Sequence, residues 1–264
     1  PQATIIGIPY DAKSSFLRGP ALAPTAIRTA LRTPAGNSFS ESLYDVDSPS
    51  SLGDAGDVPI ESDEYPLDAI QQAVIGVLNS DSVPIALGGD HSISYAVVRA
   101  IAKVAKPFTI LHFDAHSDLY DSYEGDRLSH ACPFARIMEE QLATHLVQVG
   151  IRCMTPPQRI QADRFHVEVI DMRAWIAGVR PKVVAPCYLS IDLDVLDPAF
   201  APGLSHREPG GLSTRDVISL IQGLQGPVVG ADIVELNPAR DVDGMTALVA
   251  AKILKELVSL IAVG

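Results

Sequence analysis

The stretch FTILHFDAHSD, Phe108 to Asp118, decides how the chain is read. Its first half, Phe108 to Phe113, is a short apolar run rich in β-branched and aromatic residues, which suits a strand. Its second half is a burst of charge. Similar runs recur at Ala3 to Pro9, Val83 to Leu87, Leu146 to Val149, His166 to Ile170, Tyr188 to Leu193 and Val228 to Val234. Between them, helical patterns fit Pro24 to Leu31, Pro66 to Leu78, Ser92 to Ala105, Pro133 to Leu142, Thr214 to Leu224 and Met245 to Ile261. The last of these carries Leu254, Leu257, Val258 and Ile261 on one stripe, and Ser213 with Asp216 has the spacing of a capping box. Strands alternating with helices predict βαβ units on a parallel sheet.

In such folds ligands bind beyond the carboxyl ends of the strands. Four runs end there in unusual charge: Gly88 to His91 (GGDH), Asp114 to Asp118 (DAHSD), Asp192 to Asp194 (DLD) and Asp232 to Glu235 (DIVE). Extended backbone would put Asp114, His116 and Asp118 on one face, and likewise Asp192 and Asp194. His91 follows a glycine pair that lets the chain turn sharply. Any one of these aspartates reads as a cap or turn residue, but two imidazoles and four carboxylates together would repel without a cation. An oxygen-rich, thiol-free set favours Mn²⁺, with Ni²⁺ or Co²⁺ also able to bind, over a structural zinc.

His112 lies one pleat upstream, roughly 6.6 Å back, and reads as a neighbour of the ligands. Asp90 and Asp197 are expected to accept hydrogen bonds that orient ligands, and Asp232 could fill either role. His145, His166 and His206 have no motif support.

Composition narrows the function class. The chain has 264 residues, 47% of them hydrophobic, with no repeat, low-complexity tract or linker, so one domain over residues 1–264 is expected. A net charge of −12 with no Lys/Arg run argues against a nucleic acid or an anionic membrane as partner. The most apolar stretch, Val249 to Val263, is broken by Lys252, Lys255 and Glu256 and cannot span a bilayer. Cys132, Cys153 and Cys187 are widely spaced and unpaired in pattern, which fits a reducing compartment: the cytoplasm, or an organelle matrix if a targeting segment once preceded Pro1.

The segments GGDHS, FDAHSD and SIDLDVLDP resemble the signatures of the arginase/agmatinase (ureohydrolase) family, and plant-type arginases look most similar. The likeness extends through SFLRGPALAP (Ser15 to Pro24), SHACPFARI (Ser129 to Ile137), DPAFAPGLSHREPGGL (Asp197 to Leu212) and GADIVELNPARDVDGMTALV (Gly230 to Val249). It implies a three-layer α/β/α fold with a mostly parallel eight-stranded sheet, two Mn²⁺ per chain and a homo-oligomer, trimer or hexamer. The family's ligands fall on His91, Asp114, His116, Asp118, Asp192 and Asp194, its proton-shuttling histidine on His130 and its guanidinium-binding glutamate on Glu235.

The implied substrate is a small cationic guanidino compound, cut to urea and an amine. Its carbon is a poor electrophile, so the chemistry needs a hydroxide formed from water between two metals. Asp118 could hold the water's proton, and His130 would deliver one to the departing nitrogen. In the outer loop Tyr120 to His130, plant-type arginases carry Asn where this chain has Asp126, next to Glu124. An ionised Asp cannot donate to the α-carboxylate of arginine, so agmatine or a related amine is expected, with arginine as the alternative. Arg207 could supply the missing positive charge, and Ser129 is a third pocket candidate. The rivals are a single-zinc deacetylase and an inactive binding homologue.

Overall fold

The computed structural model describes residues 1–105, 107–183 and 185–263. Eight strands form one sheet: β1 (Ala3–Ile8), β2 (Leu52–Asp57), β3 (Val83–Gly88), β4 (Thr109–Phe113), β5 (His145–Ile151), β6 (Glu168–Asp171), β7 (Cys187–Asp192) and β8 (Val228–Val234). Their order is β2-β1-β3-β8-β7-β4-β5-β6, and every pairing is parallel. Alternate residues of each strand feed two separate cores, as the pleat dictates. Ile5, Leu87, Leu111, Val149, Leu189 and Ile233 face α1 (Ala23–Leu31), α6 (Met172–Ile176), α7 (Thr214–Gly223) and α8 (Met245–Val263). Ile6, Ala86, Ile110, Leu146, Tyr188 and Val234 face α2 (Leu67–Leu78), α3 (Ile93–Ile101), α4 (Pro133–Glu139) and α5 (Pro156–Arg164). The expected three layers are therefore present.

Three elements lie outside the pattern read from sequence. β2, LGDAGD, is an edge strand whose last four residues are exposed, so it needs no apolar alternation. α5, PPQRIQADR, has no apolar stripe; its start is fixed by a capping box in which Thr155 N–H donates to Gln158 Oε1 (3.0 Å). α6 has five residues, too few to show a period. The capping box at Ser213 forms as expected, with Asp216 N–H donating to Ser213 Oγ (3.1 Å) and Ser213 N–H to Asp216 Oδ2 (2.9 Å).

The four central strands, β3, β8, β7 and β4, are those whose carboxyl ends carry the charged motifs. β3 lies beside β8 and β4 beside β7, pairs that are not consecutive in sequence, so long crossovers bring residues far apart in the chain to one crevice.

Candidate active site

The strand ends converge, though by a different route from simple period-two spacing. β4 stops at Phe113 and β7 at Asp192, and beyond them the backbone is not extended. Leu193–Val195 is a 3-10 turn in which Asp194 N–H donates to Asp192 Oδ1 (2.8 Å). After β4, His116 N–H folds back onto Asp114 Oδ1 (2.5 Å), and Asp118 sits in the left-handed region at φ 48. Such a backbone costs on the order of 1–3 kcal/mol for a non-glycine residue and tends to mark functional positions. The glycine pair also works differently from expectation. Neither has positive φ; a Cβ on Gly89 would lie 1.8 Å from Tyr10 O, and one on Gly88 2.6 Å from Val234 Cγ1. Close packing, not a sharp turn, demands glycine there.

The buried His91 ring forms one lobe of the site. Its Nδ1 lies 3.1 Å from Asp114 Oδ2, 3.1 Å from Asp118 Oδ2 and 3.2 Å from Asp192 Oδ2, yet makes no hydrogen bond. On its other edge Nε2 meets Ser190 Oγ (2.9 Å), and Ser190 Oγ donates to Asp232 Oδ1 (2.7 Å). Ser190 therefore accepts from His91 Nε2–H, which turns the Nδ1 lone pair toward three carboxylates. Burial opposes charge on His91, but the facing carboxylates of Asp114, Asp118 and Asp192 raise its pKa well above the ordinary value. The lobe demands positive charge at that point.

A second lobe shares Asp114. His116 Nδ1 lies 2.8 Å from Asp194 Oδ2 and 3.5 Å from Asp114 Oδ1. Burial and the charges of Asp194 and Asp114 push Asp192 well above the usual carboxylate range, and burial with Asp114 pushes Asp194 up to about 6. Like charges this close in a buried site require cations. The groups Asp114, His116 and Asp194, and His91 with Asp114, bring carboxylate oxygens and imidazole nitrogens close enough to hold a metal ion.

Supporting hydrogen bonds hold the ligands in place. Gln148 Nε2 donates to Ser117 O (2.6 Å) and lies 3.0 Å from His112 Nδ1, while His112 Nε2 faces Asp114 Oδ2 (2.8 Å). Burial lowers the His112 pKa, so a neutral ring accepting from Gln148 donates its Nε2–H to Asp114. Asp232, left open by the sequence, steadies His91 through Ser190 and also accepts from Tyr188 Oη (2.5 Å). Asp90 and Asp197 differ from expectation. Asp90 accepts from Lys13 N–H (2.9 Å) and Ser92 N–H (3.0 Å), and Asp197 from Ala199 N–H (2.9 Å) and Gly210 N–H (2.7 Å), so both fix loops instead of ligands.

Glu235 follows β8 with φ 67, its N–H bonded to Gly89 O (3.0 Å). Its Oε1 accepts from His91 N–H (2.9 Å) and faces His130 Nδ1 (2.9 Å). No contact joins it to Arg240, the partner a merely structural role would have supplied. Burial would lower the His130 pKa, but the Glu235 hydrogen bond and charge, with Asp90, raise it to about 9. Burial would raise Glu235, but the His130 hydrogen bond and charge hold it below its usual value.

A cavity of about 170 Å³ opens over this floor. Ser15, Tyr120, Tyr123, Cys153, Gln158 and His206 join His116, Asp118, His130, Asp192, Asp194 and Glu235 in its lining. None of the three pocket candidates read from sequence is there. Asp126 binds Lys13 Nζ (2.6 Å), Ser129 Oγ accepts from Ala131 N–H (3.3 Å), and Arg207 spends its guanidinium on Pro202 O (2.7 Å) and Arg240 O (3.0 Å). His206, without any motif to mark it, packs between Phe16 (5.7 Å between centroids) and His130 (5.3 Å).

Comparison with known proteins agrees with this geometry. The model of the arginase family matches residues 1–259. Mitochondrial arginase 1 of Oryza sativa subsp. japonica is 48% identical over 97% of this chain and 80% of its own length. Guanidinopropionase of Pseudomonas aeruginosa is 37% identical over 99% of this chain and 87% of its own. The solved arginase of Medicago truncatula superposes with a TM-score of 0.93 at 45% identity, covering 98% of this chain and 87% of that one.

Proposed function

The chain belongs to the arginase family of hydrolases acting on guanidino C–N bonds, and we propose that within it this protein cleaves L-arginine to L-ornithine and urea. The observation that carries the choice of tail is the Lys13–Asp126 pair at 2.6 Å. Asp126 is the residue whose charge argued for agmatine. Burial works against its ionisation, but Lys13 lowers its pKa, so it persists as a carboxylate already matched by an ammonium and away from the cavity lining. The objection to an α-carboxylate thereby weakens, and the plant arginases at 48% identity favour arginine.

We assign the metal ligands as His91, Asp114, Asp118 and Asp192 in one lobe and His116, Asp114 and Asp194 in the other. The donor set supports two Mn²⁺, with Ni²⁺ or Co²⁺ as substitutes. When bound, such a pair supplies Lewis acidity and lowers the pKa of a shared water. Glu235, kept ionised by His130, offers a charge-assisted acceptor for guanidinium nitrogens at the cavity wall. His130 is built to hold or release a proton at Nε2. With Nδ1 on Glu235, a bare Nε2 accepts from Ser15 N–H (3.2 Å), and a protonated one donates to Ser15 Oγ (2.8 Å). A proton held there is available to the departing nitrogen. The mitochondrial name of the rice relative is compatible with an organelle for this protein too. No described helix is long and apolar enough to cross a membrane.

One observation favours a second reading. Among the described residues lining the cavity there is no Lys or Arg, so an α-carboxylate would meet hydroxyls, the Gln158 amide and imidazoles such as His206 but no guanidinium or ammonium. Agmatine lacks that carboxylate. Urea release from L-arginine and agmatine at one pH with saturating Mn²⁺ decides between them. A higher kcat/KM for arginine is expected, and a preference for agmatine would overturn the assignment.

A further inference from the structure

Beside the cavity, His116 and Cys153 of its lining meet Glu208, and the reaction above uses neither the thiol nor this carboxylate. Ligand atoms of Cys153, Glu208 and His116 all lie within 4.8 Å of one another, and all three residues are half-buried. We propose that they form a separate cation site, selective for a thiophilic divalent ion such as Zn²⁺ or Cd²⁺, whose occupancy shuts the enzyme down.

Two strand ends pin the cluster. Cys153 follows β5, and its N–H donates to Ala115 O (3.2 Å), which sets it beside His116. The preceding residue anchors the third member. Arg152 donates through Nε and Nη2 to Glu208 O (3.1 and 2.6 Å) and through Nη2 to Asp194 O (2.6 Å). Because Arg152 binds the main chain of Glu208, the carboxylate itself has no hydrogen bond or ion pair among the described residues. A half-buried carboxylate close to a thiol and an imidazole, with no hydrogen-bond or ion-pair partner of its own among the described residues, is a ligand without a partner. His116 presents Nδ1 to Asp194 (2.8 Å), so an ion in this cluster takes the opposite ring nitrogen, whose proton passes to solvent as the ion binds when Nδ1 already holds an inner ion.

Ligand softness separates the two sites. The inner lobes offer only carboxylates and imidazoles, which suit hard ions; the wall adds sulfur, and S, N and O donors in one place select zinc-like ions. Bond lengths of about 2.0–2.3 Å would draw the three donors to roughly 3.5 Å apart, a small rotation for half-buried side chains. An ion there loads or pulls on His116 and occupies the cavity wall, so turnover stops without displacement of the inner ions.

The test is a titration of Mn²⁺-loaded protein with Cd²⁺, followed by the ultraviolet thiolate-to-Cd²⁺ charge-transfer band, the Mn²⁺ retained and urea release. Wild type should develop the band at one Cd²⁺ per chain with Mn²⁺ retained and urea release lost. Cys153→Ser should show no band and at least about tenfold weaker inhibition, and Glu208→Gln should bind Cd²⁺ more weakly. Band and metal count need no turnover, so they read the site even if the substrate assignment fails. A wild type without the band, a band persisting in Cys153→Ser through Cys132 or Cys187, or inhibition that tracks loss of Mn²⁺ would each overturn the proposal.

Discussion

At the floor of the cavity three of the candidate ligands are gripped by named neighbours: His91 by Ser190, Asp114 by His112 and His116 N–H, Asp194 by Ala115 N–H at 2.9 Å. At the mouth the holds are fewer and local. Tyr120 accepts from Thr155 Oγ1 (2.9 Å) and leans on Tyr123 with centroids 5.3 Å apart, and Gln158 is tied to the same threonine. The floor is over-determined by sheet register and buried hydrogen bonds, as the proposed two-ion site would demand. The mouth is assembled from loop residues and the start of α5, outside these holds. Chemistry and tail selection are thus separable in this molecule, and substitutions should divide along that line.

The largest effect is expected at the residue both lobes share. Asp114→Ala should lower metal affinity by more than about 100-fold, beyond the range for outer partners, with turnover lost alongside. Metal analysis and urea assays on one preparation check this; retention of two ions would break the account of a bridging carboxylate. His130→Ala should cut kcat by about 10²–10⁴-fold while the ions remain, the usual range for a positioned acid or base. An unchanged kcat removes His130 from proton delivery. Ser190→Ala reaches the floor indirectly through His91 and should weaken metal binding by about 10–100-fold, measured by competition with a chelator.

A pH experiment on the metal-free protein sharpens the same line. His130 titrates at about 9 when folded against an ordinary value near 6.5, so its pairing with Glu235 stabilises the fold fully below about 6.5 and is lost as pH rises through 9. The difference in Tm between wild type and His130→Ala should shrink across that window. A constant difference would contradict the pairing. The smallest effect is expected outside the cavity. Asp126→Asn should change the arginine-to-agmatine ratio of kcat/KM by less than about threefold, because its charge already faces Lys13. A larger swing toward arginine would return Asp126 to the substrate pocket.

The same division explains what could be read from the sequence. The buried strands announce themselves because both faces are apolar, and the ligands cluster in short contiguous motifs at their ends. Edge strand β2 and helix α5 lack a buried stripe and so leave no period to find. Ser15, Tyr120 and His206 come from three separate loops and Gln158 from helix α5, and they meet only in space; no spacing along the chain joins them. Asp126 shows the converse. It sits in the right loop, but its direction is set by Lys13, more than a hundred residues away, and sequence order carries no trace of that contact.

The central claim, that the floor is a two-ion site which makes the chain a ureohydrolase, is tested most directly by titrating metal-stripped protein with Mn²⁺ while counting bound ions and urea released from L-arginine. Urea release should rise with the second ion and reach its plateau at two Mn²⁺ per chain. Full activity with a single bound ion, or no urea at two, would contradict it.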